Sequence, residues 1–389
     1  MKIICYPCKQ DAALMAVFSV LTLLLWFVPT GFEERLPENS IRCRGRIIGV
    51  DDAEVRQFGI VKIGTQDLTV EILDGPFAGR TLRADNEIIG KLEFDKVYTA
   101  GDTALMVLTV KAGEIVYANA QDHFRLHIEL VLLVCFALLL LFFAGWTGAK
   151  ALLSFIFSAF AIWKILVPLF LKNFDPILVS IGVVTILTAT IIFLVGGLTQ
   201  RGLVAFLGAF FGIVTTCVLA LTFSEGFHLH GAVKPFSETL LYSGYPHLNL
   251  TRIFLASIFM ASAGAVMDLA MDVAASMDEV VARKPDISFR ELMGSGFRVG
   301  RAVVGTMTTT LLFAYSGGYI TLLMVFMAQG VPLTNLFNLN YVAAEILNTI
   351  VGSFGLVTVA PLTAIAGAFI YTKRRHRSAF SSTGLKTDE

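Results

Sequence analysis

The chain is poor in charge. Asp, Glu, Lys and Arg together make up 15% of its 389 residues, where a soluble domain carries about 25%. The formal net charge is zero, which excludes an electrostatic case for nucleic-acid binding. Cysteine is scarce too. Five cysteines form no disulfide framework: Cys135 and Cys217 sit in apolar runs, Cys43 is alone, and Cys5 and Cys8 make a bare CxxC with no second pair, which reads as a short solvated tail. No HExxH, P-loop or GxSxG sequence is present, and the glycines of 294–318 are too scattered to cradle a phosphate. An enzyme is therefore not expected, and no cofactor is implied.

What the chain has is hydrophobicity, at 56% of residues. A helix needs about 20 mostly apolar residues to span a bilayer, and eight runs qualify: 11–30, 128–146, 150–171, 176–197, 202–223, 253–275, 302–328 and 341–371. The first is long and the GFEERLPEN after it lacks an A-x-A type cleavage site, so it reads as a retained anchor rather than a signal peptide. Lys and Arg cluster at alternate span ends, near Lys2 and Lys9, Lys150, Arg201, Arg283 to Arg301, and Lys373 to Arg377. The positive-inside rule then places both termini in the cytoplasm. The expected partner is the lipid bilayer, with a small solute or ion to be carried and room for a homo-oligomer or a membrane partner.

Most of the acids fall in 33–125, and few charges fall in 128–222. The chain is thus expected to comprise an anchor (1–30), an extracytoplasmic β-domain (31–127), a seven-helix bundle (128–372) and a cytoplasmic tail (373–389). RCRGRIIGV, FGIVKIGTQDLTVEIL and KVYTAGDTALMVLTV are β-rich and partly alternating, with turn signals at Asp51-Asp52, Asp74-Gly75-Pro76 and Ala112-Gly113. Four or five strands in this length predict a small barrel or sandwich, an OB-like barrel first. The fold class is a polytopic α-helical membrane protein with an inserted all-β domain.

The polar residues inside the apolar runs carry the functional reading. In ASAGAVMDLAMDVAASMDE, Asp268 and Asp272 are four apart, on one helix face. A carboxylate in hydrocarbon costs a few kcal/mol and normally faces protein or water. The small residues before it permit close helix approach, so this helix is expected in the middle of the bundle. At 1.5 Å per residue, Asp268 lies about 23 Å from the outer face of a core about 30 Å thick. Thr306, Thr308, Thr309 and Thr310 of the antiparallel next span lie about 6–12 Å above the inner face. The two groups share a depth. Asp268, Asp272, Thr306, Thr309 and Thr310 are the candidates for proton or ion coupling, against the simpler reading that the threonines bond their own turns.

Glu345 and Asn348 are about 15 Å from Asp268 along the membrane normal and form a second polar cluster. Lys164 sits mid-span with reach to snorkel. The loop 224–252 holds His228, His230 and His247 with Glu225 and Glu238. These could ligate zinc or copper, but they match no closed four-ligand spacing, so no metal is assigned. In 280–301, Pro285 breaks the helix, and Ser288 with Glu291 has capping-box spacing for a short new helix. Its apolar Phe289, Leu292, Met293 and Phe297 beside Arg290, Arg298 and Arg301 predict a membrane-surface elbow, with Gly294, Gly296 and Gly300 bending it into the next span. Gly208 and Gly212 have GxxxG spacing for close packing, and Pro361 predicts a kink in the last span.

GAVMDLAMDVAASMDEV, followed by ELMGSGFRVGRAVVGTMTTTLLFAYSGG, resembles the signature of the YibE/F family of bacterial multispanning proteins. The order of anchor, extracytoplasmic β-domain with Gly101-Asp102, and helical bundle is also similar. The resemblance places Asp268, Ser276, Gly296, Gly300, Arg301, Gly305, Thr306, Thr310 and Tyr315 on the family pattern. Thr309 stands where that pattern has Asn. What it implies is an architecture and a bacterial cell-membrane location rather than a reaction. A looser likeness, to one half of proton-driven RND-type permeases, implies coupling through the polar helix. Transport is the first expectation. The alternative is a non-transporting assembly factor or receptor acting through the β-domain.

Overall fold

The structure, a computed structural model, describes residues 9–32 and 39–383. Lys2, the Cys5–Cys8 pair and the end of the tail lie outside the described residues. The chain divides into two units, residues 32–139 and residues 1–31 with 140–389.

The first unit holds the strands β1 (Ser40–Asp51), β2 (Arg56–Phe58), β3 (Val61–Ile72), β4 (Thr81–Ile89), β5 (Thr103–Lys111) and β6 (Glu114–His123). Their order is β1-β5-β6-β4-β3-β2, and β1 also pairs with β3. That last pairing closes five strands into a barrel, with β4 and β6 parallel and the other neighbours antiparallel. Alternation along the strands fills the interior. On β5, Ala104, Met106 and Leu108 point in, and they meet Ile47, Leu68, Val70 and Ala120. Gln66 and Asn86 are also fully buried. Gln66 Nε2 donates to the Tyr98 carbonyl at 3.0 Å and its Oε1 accepts from Tyr98 N–H at 2.9 Å, while Asn86 Nδ2 donates to the Lys96 carbonyl at 2.7 Å. Two buried amides thereby pin the segment between β4 and β5, which has no regular structure of its own, and satisfy its backbone.

The second unit is helical: α1 (Lys9–Phe27), α2 (Leu126–Ala161, whose first residues belong to the other unit), α3 (Val167–Leu171), α4 (Pro176–Gly196), α5 (Gln200–Gly226), α6 (Ser237–Tyr242), α7 (Leu250–Arg283), α8 (Phe289–Gly317), α9 (Ile320–Ala328), α10 (Leu333–Asn338) and α11 (Asn340–Thr383). Among the described residues six helical stretches are long and apolar enough to cross a membrane, and α8 with α9 makes a seventh if the bent pair is one span. Several long apolar helices suggest a membrane-embedded protein.

Three details depart from the expected spans. The runs 128–146 and 150–171 are one helical stretch, Leu126–Leu171, 46 residues long. It is broken at Gly145, whose backbone (φ 54°, ψ −124°) is not helical. A side chain on Gly148 would strike the Leu140 carbonyl, although a straight helix would hold these residues about 12 Å apart along its axis. The chain therefore folds back on itself at Gly145, at the end of the first run. The run 302–328 is not one straight span, because α8 ends at Gly317 and α9 leaves at 67° to it. The surface elbow is absent. The capping box forms, with Ser288 Oγ accepting from Glu291 N–H at 3.3 Å and Glu291 accepting from Ser288 N–H at 3.0 Å. From it, however, α8 runs unbroken to Gly317. Leu292, Gly296 and Gly300 are buried, Gly296 against Ala364 and Met277, and Gly300 against Ala360. The small residues that were to bend the chain instead admit α11. The last helix continues through Pro361 into the expected tail.

Around α7 the bundle packs α4, α5, α8 and α11. Helices α5 and α11 interlock through small residues: Thr363 fills the notch at Gly208, Val359 that at Gly212, and Thr216 that at Gly355. The GAFFG spacing thus serves close packing. The anchor α1 is held at both ends. Lys150 Nζ lies 3.3 Å from Asp11 Oδ2 at its start, and Lys164 Nζ donates to the Val28 carbonyl at 3.0 Å just past its end. Between them Phe18 meets Phe157 and Trp26 meets Phe160 edge to face. Lys164 is thus not left to lipid: it neutralises the carbonyl-rich end of α1.

Candidate functional site

Two polar constellations form in the bundle. The first is on α7. Its contacts fix an antiparallel register with α8. Ser262 and Tyr315 meet against Gly352, Val273 faces Gly300, and Met277 faces Gly296. Interpolating between these pairs puts Asp268 level with Thr306 and its neighbours, and Asp272 level with Arg301. Helix α7 is buried on the sides that meet α4, where Met271 touches Gly196, and α8 and α11, where Val266, Val273 and Met277 lie. The stripe Ala261, Gly264, Asp268 and Asp272 is exposed. Among the described residues no hydrogen bond or ion pair joins Asp268 or Asp272 to another side chain. The small residues before Asp268 divide between roles: Ser262 and Ala263 are buried in the bundle, while Ala261 and Gly264 line the open stripe.

The threonines do not act as one group. Thr306 and Thr310 are exposed, and their hydroxyls donate to Val303 and Thr306 carbonyls at 3.0 and 3.2 Å. Thr308 donates to the Val304 carbonyl at 2.5 Å. Thr309 and Thr308 line a different groove, between α8 and α11, with Thr349 and Ser353. Thr309 therefore stands apart from Asp268 on its helix.

The second constellation gathers groups from four places in the chain. Lys234 reaches in from the loop between α5 and α7. Its Nζ lies 2.7 Å from Tyr319 Oη and 3.3 Å from Glu345 Oε2. It also sits 5.0 Å from the Tyr319 ring centre and 5.9 Å from that of Phe254, a cation–π arrangement. Asn348 Nδ2 donates to the other Glu345 oxygen at 3.3 Å. The Glu345 side chain is 12% exposed. Burial alone would lower the Lys234 ammonium's pKa, but the Tyr319 hydroxyl and Glu345 carboxylate outweigh it and hold the value above that of a free lysine. Of the buried polar atoms without a partner among the described residues, two lie in this region, Asn348 Oδ1 and Tyr315 Oη. Beside the cluster is a cavity of about 370 Å³ lined by Glu345, Tyr319 and Ser316 on one part and by Leu312, Leu323 and Phe337 on another.

Glu345 and Asn348, expected as a pair, are joined here. Lys234, Tyr319 and Tyr315 complete the cluster and had no signal as its members: Lys234 is a single cation in a loop, 111 residues from Glu345. The loop histidines do not converge. His230 Nε2 is 2.6 Å from Asn340 Nδ2, and His247 lies beside Tyr245. Among the described residues no group of three His, Cys, Asp or Glu is placed to hold a metal ion.

A family model described as YibE/F-like protein matches residues 132–373. The matched segment contains every residue of both constellations and leaves out the barrel. No curated protein and no solved structure matches the chain.

Proposed function

The chain belongs to the YibE/F-like family, and on that premise we propose that it is a membrane transporter, coupled to protons or ions through Asp268. In this reading the polypeptide crosses the cell membrane eight times, with both termini cytoplasmic and an OB-like barrel outside. The break at Gly145 divides Leu126–Leu171 into two crossings, and α8 with α9 makes one broken crossing. The role is transport rather than enzymatic.

One observation carries the proposal: the helix at the centre of the bundle bears carboxylates that no described residue neutralises. A carboxylate at membrane depth costs about 3 kcal/mol even on the lenient scales. A purely structural helix gains nothing by keeping two of them on one open stripe. A proton or a cation arriving from water would neutralise Asp268, and the polar face of α8 at the same level gives it a hydrated path. The test is reconstitution in liposomes loaded with a pH-sensitive dye. Asp268→Asn is expected to abolish coupled flux while insertion and melting temperature hold. Wild-type flux in that variant removes the mechanism.

A second reading has support from the barrel. Phe58, Ile60, Ile63, Ile89, Leu92 and Phe94 are exposed there, and Ile63 pairs with Ile89 across β3 and β4. Exposed apolar patches mark interaction surfaces. A receptor or assembly role would lose partner capture with Phe58→Ser and Leu92→Ser together, and be indifferent to Asp268→Asn.

A further inference from the structure

The surroundings of the Lys234 ammonium form a recognition site in their own right. An ammonium has three N–H donors and no acceptor. Here it meets a carboxylate, a phenol oxygen and two aromatic faces, which is the set of groups that selects ammonium over other small ligands. The carboxylate is mostly buried, whereas the lysine is 37% exposed and comes from a loop. The bundle supplies the receptor and the loop supplies the cation.

Glu345 also forms part of the cavity wall. The remainder of that wall includes Leu322, Val342, Ile346 and Ile350. Its volume of about 370 Å³ is in the range of small-molecule sites. An anion is excluded by the carboxylate. A ligand with an apolar body and a donor-rich cationic end satisfies both the carboxylate and the apolar wall.

We propose that this cavity binds an amphiphilic primary ammonium, with its apolar chain among the leucines and isoleucines and its ammonium on Glu345, and that Lys234 is a tethered competitor for the same position. A soluble amine and an ethanolamine lipid headgroup both carry such an ammonium; the chemistry of recognition is the same. Binding stands apart from transport. Unchanged flux in Asp268→Asn would leave this site intact, and loss of amine binding would leave the Asp268 mechanism intact.

The experiment titrates octylamine, with octyltrimethylammonium as control, into the full-length protein in phosphatidylcholine nanodiscs, read by calorimetry and by melting temperature. Octylamine is expected to bind and the quaternary ion to bind weakly, because it has no N–H for Glu345. Lys234→Gln is expected to tighten octylamine binding about tenfold, as removal of an internal competitor does, and octylamine is expected to restore that variant's melting temperature. Glu345→Gln is expected to abolish binding. Weaker apparent binding in nanodiscs that contain phosphatidylethanolamine assigns the site to the lipid headgroup; an unchanged affinity assigns it to a soluble amine. Lys234→Gln binding no more tightly than wild type, or Glu345→Gln binding equally well, overturns the proposal.

Discussion

Replacing Asp11 by Leu should undock the anchor α1. The Lys150 side chain is 7% exposed and that of Asp11 29%, with 3.3 Å between charges. At an effective dielectric near 20 their attraction is about 5 kcal/mol, much of it spent on desolvating the two ions. Removing one partner leaves the other uncompensated, at a cost of about 3–5 kcal/mol. The lower end applies here, because the Val195 carbonyl, 3.4 Å from Lys150 Nζ, stays as an acceptor and Asp11 is partly solvated. Replacing both charges, as Asp11→Leu with Lys150→Met, should return stability to within about 1 kcal/mol of wild type. Melting followed by tryptophan fluorescence in detergent is a suitable assay, since Trp26 on α1 packs on Phe160. A single variant that melts with wild type, or a double variant no better than the single, refutes the reasoning.

Three further sites carry expected outcomes. Gly208→Ala places a methyl group against Thr363 and should cost about 1–3 kcal/mol by overpacking, part of which Thr363→Ala recovers in a denaturation series. Gly145→Val puts a β-branched side chain at φ 54°, ψ −124°, a region open chiefly to glycine, and should lower the melting temperature through backbone strain, while Gly145→Ala, without the branch at Cβ, should fall less. In the barrel, the Arg44 backbone N–H and guanidinium donate to Asp74 at 2.6 and 2.7 Å and hold its carboxyl below the ordinary carboxylate range. A depressed carboxylate stabilises above its unfolded pKa and loses that contribution as pH falls through its folded value. The melting difference between wild type and Asp74→Asn should therefore be present at pH 6 and vanish in strong acid. The same variant should speed alkylation of the neighbouring Cys43, whose thiol is raised to about 11 by burial and, less, by Asp74.

Features set by local chemistry were legible in the sequence. Ser288 and Glu291 announce their reciprocal cap, alternation in ALMVLTV places Ala104, Met106 and Leu108 inside the barrel, and the small residues of GAFFG mark a close contact. What failed was any inference about what covers a face. The apolar side of 289–301 is compatible with a bilayer surface or with another helix, and only α11 decides between them. Hydropathy averaged over 302–328 conceals the Gly317-Gly318 pair where the direction changes. The coupling candidates were readable as polar residues at one level, but their azimuth around each helix was not, so Thr309 was grouped with residues it does not face. The Lys234–Glu345 pair depends on a loop's return across the bundle, which no local pattern encodes.

The three notches between α5 and α11 recur every fourth residue on each helix, running in opposite directions: 208 with 363, 212 with 359, 216 with 355. Such a toothed seam resists sliding. A displacement by one residue would drive Thr363 or Val359 out of its gap and onto a neighbouring side chain, and the next gap is a full turn, about 6 Å, away. These two helices therefore travel as one rigid rail. Helix α7 is keyed into the same seam, with Val266 at the Gly212 gap and Met277 at Gly367, so relative motion within the bundle falls to the elements outside this three-helix block.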